Sequence, residues 1–366
     1  VVRQREGEVM ASRYPVPELQ TFITTALASC GVPSDAAATT ATRMLDADLR
    51  GMGGHGILRL PGYVNRVRAG GYNLRPDIRV VRQTQVSALV DGDNGLGQVV
   101  MTEAARIAID KATANGLAWV GVRGSNHAGA GGVYAAMAPG HDLIGIYLAI
   151  GNANHMPPWG GLDMLLSTNP IAVAIPADEE PPLVLDMATT QVSYGRVKVA
   201  ADRHETMPEG WMVDRRGSPL TDPTRSNEGF LVPIGGYKGY GLNLVIGALA
   251  GLLNGAALGS EVVDFNQDFE TPTNTGHALI VVRPDLFQPL EEFKAAMDRH
   301  IRELKSSTPM PGQPPIRVPG DQTPQRIADM RQHGIPIADG TVRRLADLAG
   351  ELSIADHPFA GHSGTS

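Results

Sequence analysis

Apolar positions along this chain recur in two ways, and each predicts a different kind of element. At helical spacing they mark residues 18–29, closed by Gly31, and an alanine-rich stretch from Ser34, a capping residue type, to Arg50, closed by Gly51. A tight turn, Gly53-Gly54-His55-Gly56, follows. After it Ile57, Leu60, Tyr63, Val64 and Val67 return to helical spacing as far as Gly70-Gly71. Residues 80–90 alternate and read as extended, and 101–115 read as an amphipathic helix ended by Gly116.

Beyond Gly116 the pattern changes to short apolar runs. Residues 117–122 and 143–150 read as buried strands, with a glycine-rich loop (124–132) and a short helix (133–138) between them, a β–α–β rhythm. Further strands are predicted at 171–175, 183–186 and 278–282. Charged helical spacing returns at 291–305, a proline-rich connector spans 309–319, and short helices are predicted at 324–332 and 342–352. The expected fold is α/β: a strand-rich domain over 116–284, inserted in a helix-rich domain built from both chain ends, 14–115 and 285–354. Residues 1–12 and 356–366 are expected to be disordered, with Met10 a candidate start.

Length and composition narrow the function. At 366 residues the chain exceeds what one core usually supports, consistent with two domains. A net charge of −7 argues against nucleic acid as the main ligand. The only cysteine, Cys30, permits no intrachain disulfide and suits a reducing, cytoplasmic setting, and residues 1–12 carry no apolar core of a secretory signal. The stretch 241–259 is free of charge, near the length of a membrane span, and carries Gly247, Gly251, Gly255 and Gly259 at a period of four. It contains Asn243 and Asn254, so the expectation is a buried helix in close contact with another helix or a second subunit, not a membrane anchor. Ten histidines raise the question of a metal, but no pair has the spacing of a ligand set, and no metal is expected.

Three clusters carry chemistry. His55 and Arg59, four apart in what reads as one helix, would share a face; arginine is a two-pronged clamp for a carboxylate and histidine a proton donor or acceptor near neutrality. Such a pair suits a 2-oxo acid, which presents a carboxylate beside a carbonyl. The same spacing also suits a capping histidine and a surface arginine. Ser125-Asn126-His127-Ala128-Gly129-Ala130-Gly131-Gly132, between a strand and a helix, could turn backbone amides toward a pyrophosphate, although Tyr134 replaces the last glycine of the usual dinucleotide fingerprint. His127 is a second acid–base candidate. Gly235-Gly236-Tyr237-Lys238-Gly239-Tyr240-Gly241 puts a lysine in a glycine loop at a helix start, where it can meet a phosphate or carboxylate. Ser167-Thr168-Asn169-Pro170 and Asp186-Met187-Ala188-Thr189-Thr190 lie at strand ends, where open α/β sheets meet ligands.

Taken together, Arg50–Pro61, Ser125–Gly129, Ser167–Ala172, Leu185–Thr189 and Gly235–Gly241 resemble, in order, the blocks of the malate/L-lactate dehydrogenase family that lacks a Rossmann domain. The resemblance covers residues 14–354. It implies a mixed-sheet domain binding NADH or NADPH, a homodimer, and a site between domains near the subunit interface. By match, His55 is the proton donor, Arg59 the carboxylate clamp and Thr168 a substrate contact. His127, Ala128, Gly129, Ala130, Gly131, Asp186, Met187, Ala188, Lys238 and Gly239 match cofactor-contacting segments. Pro319 and Gly320 match another more loosely. In the ureidoglycolate branch His127 matches the acid–base.

The chain departs from the family where Gly54 replaces a common serine, Ala128 a common aromatic, and Arg196 the acid that cyclic-imine reductases carry. The implied activity is an oxidoreductase interconverting 2-oxo and 2-hydroxy acids. The alternatives are a cyclic-imine or diketo-acid reductase of the same family, and a relative that binds ligand without catalysis.

Overall fold

The computed structural model describes residues 12–361 apart from residue 203. The expected disorder at 1–11 and 362–366 lies outside the described residues. The chain divides into two compact units.

One unit draws on both chain ends, up to Ala69 and from Gln322. Helices Val16–Ser29, Ser34–Leu49 and Leu60–Arg68 are joined there by Thr323–His333 and Asp339–Glu351, and strand Ser12–Tyr14 pairs antiparallel with Ile335–Ile337. Ser34 is the first residue of its helix and not its cap; Pro33 holds that place. The tail, expected to be disordered from residue 356, is described as far as Gly361. Phe359 is fully buried, its ring 5.1 Å from Phe22 and 5.0 Å from Tyr14, so aromatic burial ties the tail down where its polar residues predict freedom.

The other unit, Gly70–Asp321, is built on a seven-stranded mixed sheet. Its strand order is Arg79–Gln83, Ser87–Asp91, Leu117–Ser125, Thr275–Val282, Ile144–Ala149, Ile171–Ile175, Leu183–Met187. Only the pairing of Ser87–Asp91 with Leu117–Ser125 is parallel. The expected β–α–β rhythm is present with a strand between: Leu117–Ser125 and Ile144–Ala149 point the same way because each pairs antiparallel with Thr275–Val282.

Alternation along these strands serves two faces. Val120, Val122, Leu279 and Val281 meet the helix Gly97–Asn115 through Val100, Met101, Ala104 and Ala108. Ala278, Leu148 and Ile150 meet the helix Tyr237–Ala250 through Ile246 and Ala250. The stretch 70–115, expected with the helices of the chain ends, therefore belongs to the sheet unit, as does 285–321. Pairing with Leu117–Ser125 draws it there.

The charge-free stretch 241–259 does not form one helix. The helix ends at Ala250, Gly251 turns the chain, and a short 3-10 turn, Leu252–Asn254, follows. Asn254 donates to the carbonyls of Ala250 and His277 at 2.8 and 2.9 Å, tying the helix end to the central strand. Among the described residues no helix is long and apolar enough to cross a membrane.

Candidate active site

In the smaller unit His55 and Arg59 do not share a helix. His55 ends one 3-10 turn, Gly53–His55, and Arg59 ends the next, Ile57–Arg59, with the helical path broken at Gly56 (φ −91°, ψ −145°). The break has a visible cause. Asp48, on the apolar face of helix Ser34–Leu49, accepts the Ile57 amide at 2.8 Å and lies so close under Gly56 that an added Cβ would sit 1.9 Å from its Oδ1. Arg59 Nε donates to the Gly54 carbonyl at 2.9 Å, curling back over the turn that carries His55. The two side chains are thus held on one short loop by hydrogen bonds, where the spacing predicts a helical face.

Burial sets the electrostatics of this loop. His55 is half-buried, but its Nδ1 is shut from solvent. Burial, with the nearby Arg59 charge adding to it, lowers its pKa to about 4, so the imidazole is neutral at physiological pH. Burial also lowers Arg59, opposed by Tyr63. Asp48 is pushed up to about 7 by burial, which its bond from Ile57 only partly offsets. Gly54 lies exposed, with nothing within 4 Å of where a side chain would start, so a serine there would find room.

In the larger unit the remaining motifs converge on the sheet. Asn243, in helix Tyr237–Ala250, donates to the Ser167 carbonyl at 2.7 Å and to Thr189 Oγ1 at 2.8 Å, and accepts from Asn169 at 3.0 Å. The Thr168 carbonyl accepts both the amide and the hydroxyl of Thr189. One buried polar knot therefore joins the segments around Thr168, Asp186-Met187-Ala188 and Lys238-Gly239. Pro319 and Gly320 lie along the edge strand that carries Asp186: the Pro319 carbonyl accepts Val184 N–H at 3.0 Å.

The glycine-rich loop differs from expectation. Its helix is a single short turn, Gly131–Ala135, and the Gly132 amide donates to Asp186 at 2.7 Å. Burial raises Asp186 to about 6, with the Gly132 bond opposing. Of the loop's other residues, Ala128, Ala130 and Gly131 are buried and Gly129 is partly exposed. His127 is also buried, its ring 5.4 Å from Phe265. Beneath the loop runs a polar chain in which Tyr147 meets His277 Nδ1 at 2.8 Å and His277 Nε2 meets Ser125 Oγ at 3.2 Å. Burial lowers His277 to about 4, so this chain is uncharged.

Lys238 has a more open setting. A helix start leaves its first amides without intrahelical acceptors, and exposed Lys238 stands in the first turn of the 14-residue helix Tyr237–Ala250. These residues fit the phosphates of a dinucleotide. Arg196 lies over the Trp211 ring at 5.7 Å. Among the described residues no three metal-ligating side chains gather.

Sequence reasoning missed Asp48, Asn243 and the Tyr147–His277–Ser125 chain as site-building residues. Asp48 had a signal: it continues the apolar positions Ala41, Met44 and Leu45 at helical spacing, where a carboxylate is out of place.

Comparison with known proteins places this architecture. The malate/L-lactate dehydrogenase family model matches residues 14–346. Malate dehydrogenase of Pyrococcus abyssi is 37% identical over 93% of this chain and 95% of its own length. L-sulfolactate dehydrogenase of Methanocaldococcus jannaschii is 38% identical over 88% and 92%. Ureidoglycolate dehydrogenase (NAD(+)) of Escherichia coli is 34% identical over 89% and 93%. The solved malate dehydrogenase of Pyrococcus horikoshii superposes with a TM-score of 0.86 at 35% identity, over 95% of this chain and 97% of that one. The fold and the match together define an NAD(P)-dependent dehydrogenase of 2-hydroxy acids. The chain belongs to the malate/L-lactate dehydrogenase family.

Proposed function

We propose that this enzyme interconverts a small 2-oxo acid and its 2-hydroxy acid at C2, with His55 exchanging the proton of the substrate oxygen and Arg59 clamping the carboxylate. The observation that carries this reading is the single braced loop that holds a neutral imidazole and a guanidinium together. The nicotinamide cofactor supplies the hydride chemistry. Neutral His55 is ready to take the hydroxyl proton as the hydroxy acid is oxidised, and the acid form it then holds serves the reverse reaction. Arg59 offers parallel donors to a carboxylate that is charged throughout, so it binds and orients alike. The names of the relatives favour a malate-like or sulfolactate-like substrate, with a second anionic group.

Lys238 and Gly239, at an open helix start, would hold a cofactor phosphate. His127, the residues Ala128 to Gly131, Asp186 to Ala188, and Pro319-Gly320 would line the rest of the cofactor, and Thr168 would touch the substrate. A homodimer is part of this reading. It is supported by the apolar side chains of Val245, Leu252 and Leu253, each more than half exposed.

The test is a panel of 2-oxo acids with NADH or NADPH, followed by absorbance. His55→Ala should cut kcat by ~10²–10⁴-fold, and Arg59→Ala should raise substrate KM steeply and lower kcat. Wild-type kinetics in both variants would overturn the assignment. Loss of kcat on His127→Ala alone would move the acid–base role to His127, which matches that role in the ureidoglycolate branch.

A further inference from the structure

The loop bearing His55 and Arg59 is irregular, and irregular backbone wanders unless something holds it. The structure shows one side chain beneath its break. Asp48 Oδ2 accepts the Ile57 amide at 2.8 Å. The same carboxyl faces Gly56, where a Cβ would come within 1.9 to 2.2 Å of its three terminal atoms, and its Oδ1 would lie 3.4 Å from a Cβ on Gly53. Gly56 and Ile57 are the hinge between the two 3-10 turns, so the carboxyl touches the chain where the two side chains part.

Asp48 is itself fixed. It lies in the last turn of helix Ser34–Leu49, whose end is stapled: Gly51 N–H bonds the Asp48 carbonyl at 2.8 Å and Met52 N–H the Ala47 carbonyl at 2.8 Å. Arg326 closes the other side, donating to the Arg50 carbonyl at 3.0 Å and packing against Gly51. Asp48 is 6% exposed, and a carboxyl is seldom placed so deep without a specific task. A neutral helix-packing residue would serve stability better, because no salt bridge of the described residues involves it.

We propose that Asp48 is a positioning residue for the reaction: its carboxyl oxygen holds the Ile57 amide and braces Gly56, and so sets the separation of the His55 imidazole from the Arg59 guanidinium. The role rests on the assignment of those two side chains above. It needs an acceptor of the right length and shape at position 48, and no charge. Asparagine therefore preserves it, while alanine, which has no acceptor, and glutamate, which is one methylene too long for the space under Gly56, do not.

The experiment compares Asp48→Asn, Asp48→Ala and Asp48→Glu with Arg59→Ala, measuring kcat and KM for the oxo acid, cofactor affinity by NADH fluorescence, and amide exchange at Ile57. Asp48→Ala should lower kcat/KM for the oxo acid by about a hundredfold, the usual cost of a small misplacement at a reacting centre. Cofactor affinity should stay at the wild-type value and Ile57 should exchange faster. Asp48→Asn should restore both kinetics and protection. If Asp48→Ala does not fold, Asp48→Glu carries the comparison and should lose oxo-acid turnover with cofactor affinity kept. Wild-type kcat/KM in Asp48→Ala, or Asp48→Asn as impaired as Asp48→Ala, overturns the proposal. An inert Arg59→Ala would instead overturn the site assignment, and an impaired Arg59→Ala beside an inert Asp48→Ala would overturn only the role of Asp48.

Discussion

Gly54 and Gly56 flank His55 and look interchangeable in the sequence, yet the space around them differs. A Cβ on Gly54 meets nothing within 4 Å, while one on Gly56 meets the Asp48 carboxyl. Gly54→Ser should leave the melting temperature unchanged, whereas Gly56→Ala should destabilise by ~1–3 kcal/mol, the usual cost of overpacking. Equal melting temperatures for the two variants would contradict this packing. The charge state of His55 gives a second test. Its folded pKa, about 4, lies below the ordinary 6.5. The pH profile of kcat/KM for hydroxy-acid oxidation reports the free enzyme. The arm due to His55 should stay level from pH 7 to about 5 and fall only below that. An arm with an apparent pKa of 6.5 would count against His55 as the base. Asp48 works the other way in stability. Its folded pKa of about 7 exceeds the ordinary 3.8, so the folded state holds the proton longer and loses stability as pH rises between those values. The melting temperature of Asp48→Asn relative to wild type should therefore climb from pH 4 to pH 8, and a gap independent of pH would refute the burial of a titrating carboxyl.

At the scale of elements, the helix after the Gly235–Gly241 loop shows where pattern and geometry part. The four glycines at a period of four predict one ridge, but only two of them sit in crowded places. A Cβ on Gly247 would come within 3.1 Å of Leu258, and one on Gly251 within 2.7 Å of the Gly247 carbonyl and 3.1 Å of Ile150, while Gly259 faces open space. Gly251→Leu should lower the melting temperature through that contact with the sheet. Gly241, inside the helix with nothing within 4 Å, should gain from alanine by up to ~1 kcal/mol. A thermal shift of the opposite sign in either variant would show that the helix packs differently. The helices at both chain ends, the glycine stops at Gly31 and Gly116 and most central strands were legible from periodicity, because each is decided by neighbours close in sequence. The length of the Tyr237–Ala250 helix was not, because Gly251 and the Asn254 contacts with Ala250 and His277 end it from outside.

For the whole molecule, the apolar surface of Val245, Leu252 and Leu253 bears on assembly. These residues are 55%, 63% and 63% exposed; Val245 lies in the helix that carries Lys238, and Leu252 and Leu253 in the 3-10 turn after it. If a second copy covers them, Leu252→Asp with Leu253→Asp should shift sedimentation from dimer to monomer while the circular dichroism spectrum is kept; an unchanged dimer would place the interface elsewhere.

The sequence by itself determined the family, the α/β class and the identity of the chemical groups, since motifs such as His55 to Arg59 and Gly235 to Gly241 are local strings whose residue types carry their chemistry. Tertiary structure alone decided how those groups are held. Asp48 lies within a few residues of His55, but its place under Gly56 depends on how the helix end folds back. Asn243 and Ser167 are far apart in the chain and meet only through the packing of helix on sheet. The fate of Gly132 was likewise hidden, because the acceptor of its amide, Asp186, arrives on a strand remote in the chain. Periodicity reports which side of an element is buried; which polar atoms then face one another depends on strand order and register, and these are set by contacts between residues remote in the chain.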